Sequence, residues 1–380
     1  MIVEPKVREF ICTTAHPQGC KENVREQIAY VKEQGITGGP KKVLVIGAST
    51  GYGLASRITS AFGCHAATLG IMFEKPSNGK RTATPGWYNT AAFEEEAAKE
   101  GVYAKSINGD AFSKEVKEQA ISIIKEDLGK VDMVIYSLAA PRRTDAQGKM
   151  WVSTLKTTDK PFTEKSLDLR TNTIVTKTVE PAEEGELEGT VKVMGGEDWM
   201  DWIDALKAAD VLEKDAVTVA YSYIGPELTY PIYYDGTIGQ AKRHLTKTAG
   251  EINEKYEDVK AYISVNKALV TQASAAIPIV PLYFAILYKV MKEQGTHEGC
   301  IQQIARLFKD KLLVEQVPAD EKYQIRMDDW ELDDKVQNQV MECWKKVTTE
   351  NVEEVSDIDG YWEDFYHMFG FHFDYIVYTE

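Results

Sequence analysis

The segment AYSYIGPELTYPIYYDGTIGQAKRHL, residues 220–245, is dense in tyrosine and carries two adjacent cations near its end. Tyr233 is followed by eight residues and then Lys242. A phenol with an ammonium nearby is a proton-donating pair: the cation lowers the phenol pKa and can also hold the ribose of a nicotinamide cofactor. The separation corresponds to about two and a half helical turns. The two groups therefore meet only if Tyr233 lies just before a helix and the chain wraps inward. Tyr223, at the end of the preceding strand pattern, can point into the same mouth. Packed aromatics would give the same residue types, and that reading is kept for Tyr221, Tyr230 and Tyr234.

A second constellation is KKVLVIGASTGYGLASRI. Gly47, Gly51 and Gly53 follow an apolar strand and open a helix. Glycines let the backbone turn tightly and approach a pyrophosphate at the helix N-terminus, where free N–H groups point outward. The spacing is G-x-x-x-G-x-G rather than G-x-G-x-x-G. Glu74 ends the next strand, 27 residues after Gly47. A carboxylate there accepts from both ribose hydroxyls of NAD and repels the 2′-phosphate of NADP, although Lys75 beside it could host that phosphate. NADH is the cofactor expected. Asp110-Ala111 and Leu138-Ala139, after the third and fourth strands, should line the same crevice. Asp110 suits an adenine amino group as acceptor; a helix cap or a packed strand end is the other reading of each.

These residues need a scaffold. Strand patterns at 41–46, 67–73, 102–107 and 131–139 alternate with helical ones, which means βαβ units and a parallel sheet. Residues 142–200 break the pattern with short alternating pieces such as TNTIVTKTV. Helices are expected near 198–210, 236–255, 279–293 and 298–311, with strands at 216–223 and 259–265. A further helix covers WELDDKVQNQVMECW. The expected fold is α/β: a Rossmann-type doubly wound parallel sheet with an inserted β-hairpin excursion and a C-terminal helical cap. Residues 1–380 read as a single enlarged dinucleotide-binding domain, with an N-terminal extension (1–40), the insertion (142–200) and the cap (312–380).

Composition bounds the function. Lys and Arg total 44 and Asp and Glu 59, a formal charge of −15. A surface this acidic argues against broad nucleic-acid binding. The most apolar stretch, 273–288, is shorter than the roughly 20 residues a bilayer demands and holds two prolines, so no membrane span is expected. Five scattered cysteines make no disulfide framework, and a cytoplasmic location is expected. Cys12, His16 and Cys20 are evenly spaced but match no zinc pattern, and ordinary packing is expected there.

Taken together, AHPQGC, VIGASTGYGLASRI, NGDAFS, YSLAAPRR, KVMGGEDW, the tyrosine block, SVNKALVTQASAAIPIVPLYFAILYKVMKE and THEGC span nearly the whole chain. The sequence resembles the trans-2-enoyl-CoA reductases and the related FabV-type enoyl-acyl-carrier-protein reductases, of the short-chain dehydrogenase/reductase superfamily. The resemblance implies that Gly47, Ala48, Ser49, Thr50, Gly51 and Tyr52 hold the pyrophosphate. It places Phe73 and Glu74 at the adenosine ribose, Asp110 and Ala111 at adenine, and Leu138 and Ala139 along the cofactor. Leu269, Val270 and Thr271 would border the nicotinamide. Tyr233 would donate the proton, Lys242 would hold the cofactor, and Tyr223 would contact the thioester carbonyl. Arg243 stands where relatives often carry a second lysine.

The implied reaction is NADH-dependent reduction of crotonyl-CoA to butyryl-CoA in fatty acid metabolism. Partners would be an enoyl-CoA or an acyl carrier protein, with the chain a monomer or homodimer. Leu282, Ile286 and Tyr288 are expected to wall the acyl pocket, unless they are plain core. Lys80-Arg81, Arg142-Arg143 and Lys242-Arg243 are the candidate phosphate or carrier contacts. Two other readings compete. One is a 3-oxoacyl carbonyl reductase, for which Ser222, 11 residues before Tyr233, would be the serine. The other is a non-enzymatic NAD-binding sensor.

Overall fold

Short apolar strands separated by amphipathic helices can bury both faces only within a parallel sheet covered by helices on each side. A computed structural model, which describes residues 3–8, 11–272, 274 and 277–378, has that arrangement. A small antiparallel pair, β1 (Val7–Arg8) and β2 (Ile11–Cys12), precedes α1 (Pro17–Glu33). The chain then alternates through β3 (Lys42–Ile46), α2 (Gly51–Ile58), β4 (Ala67–Met72), α3 (Pro85–Lys99), β5 (Ala104–Asn108), α4 (Lys114–Ile123) and β6 (Val131–Tyr136). The excursion holds two hairpins, β7 (Arg142–Thr144) with β8 (Met150–Val152) and β9 (Phe162–Asp168) with β10 (Thr173–Val179), followed by α5 (Glu186–Met194). Alternation resumes with α6 (Glu197–Ala208), β11 (Leu212–Ser222), α7 (Thr237–Lys255) and β12 (Val259–Val265). Then come α8 (Val280–Gln294), α9 (Cys300–Arg306), β13 (Gln324–Arg326), α10 (Asp334–Lys346), α11 (Val352–Val355) and α12 (Ile358–His367).

Seven parallel strands run in the order β13-β12-β11-β6-β3-β4-β5. The order reverses between β3 and β6, which opens a crevice above their carboxyl ends. Period-two alternation sends Leu44 and Ile46 to one face, against α4, α6 and α7, and Val43 and Val45 to the other, against α1, α2, α3 and α9. A third apolar cluster joins α8, α10 and α12.

Three elements differ from expectation. The strand β13 is three residues long and pairs with one strand, β12, too short for any periodicity to reveal it. In α1, Val24, Ile28 and Val31 repeat on one buried face within what read as an extension. The excursion carries two hairpins and a helix where one hairpin was expected. The first residues of the apolar stretch, Ala273, Ala275 and Ala276, lie outside the described residues.

The glycine turn is fixed by contact. Gly47 has φ +83°, and a Cβ there would sit 2.0 Å from the Ser137 carbonyl oxygen. A Cβ on Gly53 would sit 1.8 Å from the Gly47 carbonyl oxygen. Only hydrogen fits in either place, which lets β3 turn directly into α2. Gly53→Ala is expected to destabilise by roughly 1–3 kcal/mol, as overpacking does. A chemical-denaturation midpoint equal to wild type would contradict the close approach.

Candidate active site

A cleft of about 550 Å³ lies over the crevice. Its wall includes Gly47, Ser49, Thr50, Gly51 and Tyr52 from the turn, Glu74 beyond β4, Leu138 and Ala139 beyond β6, and Leu269, Val270 and Thr271 beyond β12. Thr50 is the N-cap of α2, and no side chain caps this end. The first-turn N–H groups are thus available to an anion, with the helix dipole behind them.

Both oxygens of Glu74 are oriented by hydroxyls. Ser49 Oγ donates to Oε1 at 2.6 Å and Thr84 Oγ1 to Oε2 at 2.5 Å. Asn108 brackets the same residue, accepting from its N–H at 2.8 Å and donating to its carbonyl at 2.9 Å. A carboxylate oxygen has about two acceptor sites, so each keeps one for a ribose hydroxyl. Glu74→Ala is expected to weaken NADH binding by about tenfold and to narrow the preference over NADPH, since each lost charge-assisted bond is worth 1.5 kcal/mol or more. An unchanged ratio of the two affinities would remove Glu74 from the ribose.

Five expected cofactor contacts do not line this cleft: Ala48, Phe73, Asp110 and Ala111, and Lys242, which sits with the tyrosines. Phe73 is 78% exposed. Ala48 is buried, its N–H donating to the Ile71 carbonyl. Asp110 Oδ1 accepts from the Phe112 N–H at 3.0 Å, tightening the turn into α4. Ala111 is buried, and its carbonyl accepts from Lys117 and Trp202, both at 3.1 Å. This is the cap and packed-end reading of that pair.

The tyrosines and the lysine gather at the end of β11. Tyr233 lies four residues before α7 begins at Thr237, the position ahead of the helix that the pair requires. Its ring meets Tyr223 edge-on, with centroids 4.7 Å apart. Its hydroxyl bonds to no other described residue. Tyr52, Tyr223 and Tyr233 all pack on the apolar cluster that contains Leu269 and Val270, and of the three Tyr52 lines the cleft. Lys242 Nζ donates to the Tyr221 carbonyl at 3.0 Å. Burial pulls its pKa down to about 8. The expected depression of the Tyr233 phenol is not found. Burial first, and then the charge of Glu331, push it up to about 12. The phenol is therefore fully protonated at neutral pH, as a donor must be.

Several other expectations are corrected. Leu282, Ile286 and Tyr288 have no exposed surface and belong to the core, and the Tyr288 hydroxyl accepts from the Val270 N–H at 3.0 Å. Arg143 is buried between Glu197 and Asp201, and Arg243 pairs with Asp235 at 3.0 Å and covers the Tyr234 ring. Neither guanidinium is free for a phosphate, whereas Lys80 and Arg81 are exposed and unpaired with carboxylates among the described residues. His16 caps α1, its Nδ1 accepting from the Gly19 N–H at 3.2 Å, and Cys20 is fully buried. Ser222 ends β11 and is buried. Tyr221 pairs with Ser56 Oγ at 2.5 Å, a packing role.

Sequence reasoning missed other parts of the wall: Gln27 and Tyr30 from α1, Cys300 and Gln302 at α9, Asp364 and His367 from α12. It also missed Glu331, which reads as one more surface acid in WELDD yet has no exposed surface. No local pattern marks any of these as ligand-facing.

Comparison with known proteins decides the family. Residues 81–313 match the trans-2-enoyl-CoA reductase catalytic region, residues 2–79 the NAD(P)H binding domain of trans-2-enoyl-CoA reductase, and residues 319–380 an enoyl reductase FAD binding domain. The chain belongs to the trans-2-enoyl-CoA reductase family. It is 58% identical over 383 residues to a trans-2-enoyl-CoA reductase (NADH) of Clostridium perfringens, covering 100% of this chain and 98% of that one. It is 57% identical over 377 residues to an enoyl-(acyl-carrier-protein) reductase (NADH) of Flavobacterium johnsoniae, covering 98% and 95%. The crystal structure of Treponema denticola trans-2-enoyl-CoA reductase in complex with NAD superposes with a TM-score of 0.97 at 50% identity, over 100% of this chain and 98% of that one.

The cleft fits a dinucleotide: a glycine turn without side chains in the way, an uncapped helix start and an oriented carboxylate. Residues 319–380 do not fit a flavin dinucleotide. Among the described residues they hold one three-residue strand and no strand–glycine turn–helix. Their large side chains Tyr361, Phe365, Phe369 and Phe371 are buried in the cluster around α8. No flavin step follows.

Proposed function

We propose that this chain reduces the trans-2,3 double bond of short-chain enoyl-CoA, crotonyl-CoA to butyryl-CoA, with NADH, in fatty acid metabolism. The observation that carries this reading is the Tyr233 hydroxyl, protonated, bonded to no other described residue and beside Tyr223. Bound NADH supplies the hydride for the β-carbon, and the residues provide the rest. Tyr233 donates to the thioester oxygen, where negative charge appears in the transition state. An ammonium has three donors. One of Lys242's is spent on the Tyr221 carbonyl, and the others serve the nicotinamide ribose. The turn at Gly47–Tyr52 holds the pyrophosphate, Glu74 the adenosine ribose, and Leu138, Ala139 and 269–271 the nicotinamide half. Tyr223 contacts the substrate.

The same reading treats the 380 residues as one enlarged dinucleotide-binding domain, cytoplasmic, and a monomer or homodimer. It is supported by the cap's aromatic side chains packing on α8 and by five free cysteines. No helix among the described residues is long and apolar enough to cross a membrane. Relatives named for CoA and for acyl carrier protein are about equally similar, so the carrier must be measured. Steady-state kinetics with crotonyl-CoA, longer enoyl-CoAs and crotonyl-carrier protein, each with NADH and NADPH, test it. The highest kcat/KM is expected for crotonyl-CoA with NADH; a higher value for the carrier protein would make this an enzyme of fatty acid synthesis.

A further inference from the structure

Glu331 lies in the loop after β13, has no exposed surface, and joins three elements that border the proposed reaction. Its Oε1 accepts from the Tyr223 hydroxyl at 2.9 Å and from the Tyr283 hydroxyl at 2.7 Å. Its Oε2 accepts from the Ala268 N–H at 2.7 Å, at the start of the loop that continues through Leu269, Val270 and Thr271. A carboxylate that accepts every bond it makes is a poor surface acid but a good director of hydroxyls.

A tyrosine hydroxyl has one proton. While Tyr223 donates it to Glu331, it cannot donate to a thioester oxygen. We propose that Glu331 is a positioning residue that sets where Tyr223 donates. As a carboxylate it holds the Tyr223 proton; as a carboxylic acid it donates to Tyr223 and frees that proton for the substrate.

The surroundings fix which way the acid would point. The Ala268 N–H is a permanent donor, so Oε2 stays an acceptor and the acid proton sits on Oε1. Gln337 Nε2 donates to the Tyr283 oxygen at 3.1 Å and to the Glu331 carbonyl at 2.7 Å. This orients Tyr283 to give its own proton to Glu331. The acid proton then faces Tyr223. The titratable groups around Glu331 are Tyr52 from α2, Tyr223 and Tyr233 flanking the β11–α7 turn, Lys267 after β12, Tyr283 from α8, and Asp328 in its own loop. Burial raises the carboxyl and outweighs the Ala268 and Tyr283 bonds and the Lys267 charge, which lower it; Asp328 raises it further. The acid form is thus drawn toward the pH at which the enzyme works.

The proposal rests on the reading of Tyr223 as the substrate contact, and the experiment separates the two. The pH profile of kcat/KM for crotonyl-CoA is measured for wild type, Glu331→Gln, Tyr283→Phe and Tyr223→Phe, with folding checked by thermal melting. The amide of Glu331→Gln must turn its oxygen to Ala268 and its NH2 to Tyr223, a permanent mimic of the acid. Wild type is expected to lose rate along two limbs as pH rises, one from Glu331 and one from Lys242. Glu331→Gln is expected to show the Lys242 limb alone. Tyr283→Phe removes a donor that favours the carboxylate and is expected to move the Glu331 limb to higher pH. Tyr223→Phe is expected to lose about tenfold at low pH, the scale of one hydrogen bond, and to lack the Glu331 limb. A Tyr223→Phe enzyme as fast as wild type throughout would refute the contact itself. A slow Tyr223→Phe, with wild-type limbs in Glu331→Gln or an unmoved limb in Tyr283→Phe, would overturn Glu331 alone. Should Glu331→Gln fail to fold, the Tyr283→Phe shift decides.

Discussion

Tyr233→Phe is expected to lower kcat for crotonyl-CoA by about 100- to 1,000-fold, the loss seen when one preorganised donor is removed from a developing oxyanion. Affinity for NADH should hold within about twofold, because the hydroxyl bonds to no other described residue and the ring contact with Tyr223 survives. The two results belong together. A drop in turnover with intact cofactor binding places the hydroxyl at the reacting thioester. Loss of both would mean that the ring props the site, and turnover within a factor of about three of wild type would refute the donor role. The structure strengthens the expectation in one respect. With the phenol pushed up to about 12, the wild-type donor stays protonated across the working pH range, so its titration cannot mask the effect.

Lys242→Met is expected to cost on the order of 10³-fold in kcat/KM, within the range for a residue that both orients and polarises, and to weaken NADH binding as well. The ammonium is part-buried and, among the described residues, donates to one acceptor, the Tyr221 carbonyl, which leaves two donors for a ligand. Its pH dependence has a definite sign. Burial lowers the pKa to about 8, so the cation is present below that pH and lost above it. Wild-type kcat/KM should fall as pH rises through about 8. Lys242→Arg, whose guanidinium stays charged, should lose that limb even if its rate is lower throughout. If Lys242→Arg keeps both falling limbs of the wild type, the limb near pH 8 belongs to another group.

The sheet was legible because its strands are short apolar runs between helices of regular period, and β3, β4, β6 and β12 begin and end close to where those runs do. Helices α2, α4 and α9 each continue into wider turns, Thr59–Gly63, Ile124–Leu128 and Leu307–Leu312, which is why their apolar patterns run past the α-helical residues. Gly47, Gly53 and Glu74 were legible because a steric demand and a charge demand each leave a residue type at a fixed distance along one βαβ unit. Asp110 was less so: an Asx turn and an adenine contact ask for the same residue at the same strand end. The acyl-pocket expectation for Leu282, Ile286 and Tyr288 failed because apolar periodicity marks burial and cannot distinguish a cavity wall from a filled core. Glu331 was illegible for the opposite reason. Its partners come from positions 223, 268 and 283, and only the tertiary fold makes an acid in a charged run into a buried acceptor.

Hydride is expected to go to a carbon–carbon double bond rather than to a carbonyl, and the purified enzyme can be asked directly. NADH absorbance is followed with crotonyl-CoA and, separately, with acetoacetyl-CoA, and the products are identified by mass. NADH oxidation matched by butyryl-CoA is expected with the first and none with the second. Oxidation with acetoacetyl-CoA but not with crotonyl-CoA would make the enzyme a carbonyl reductase and overturn the enoyl reading.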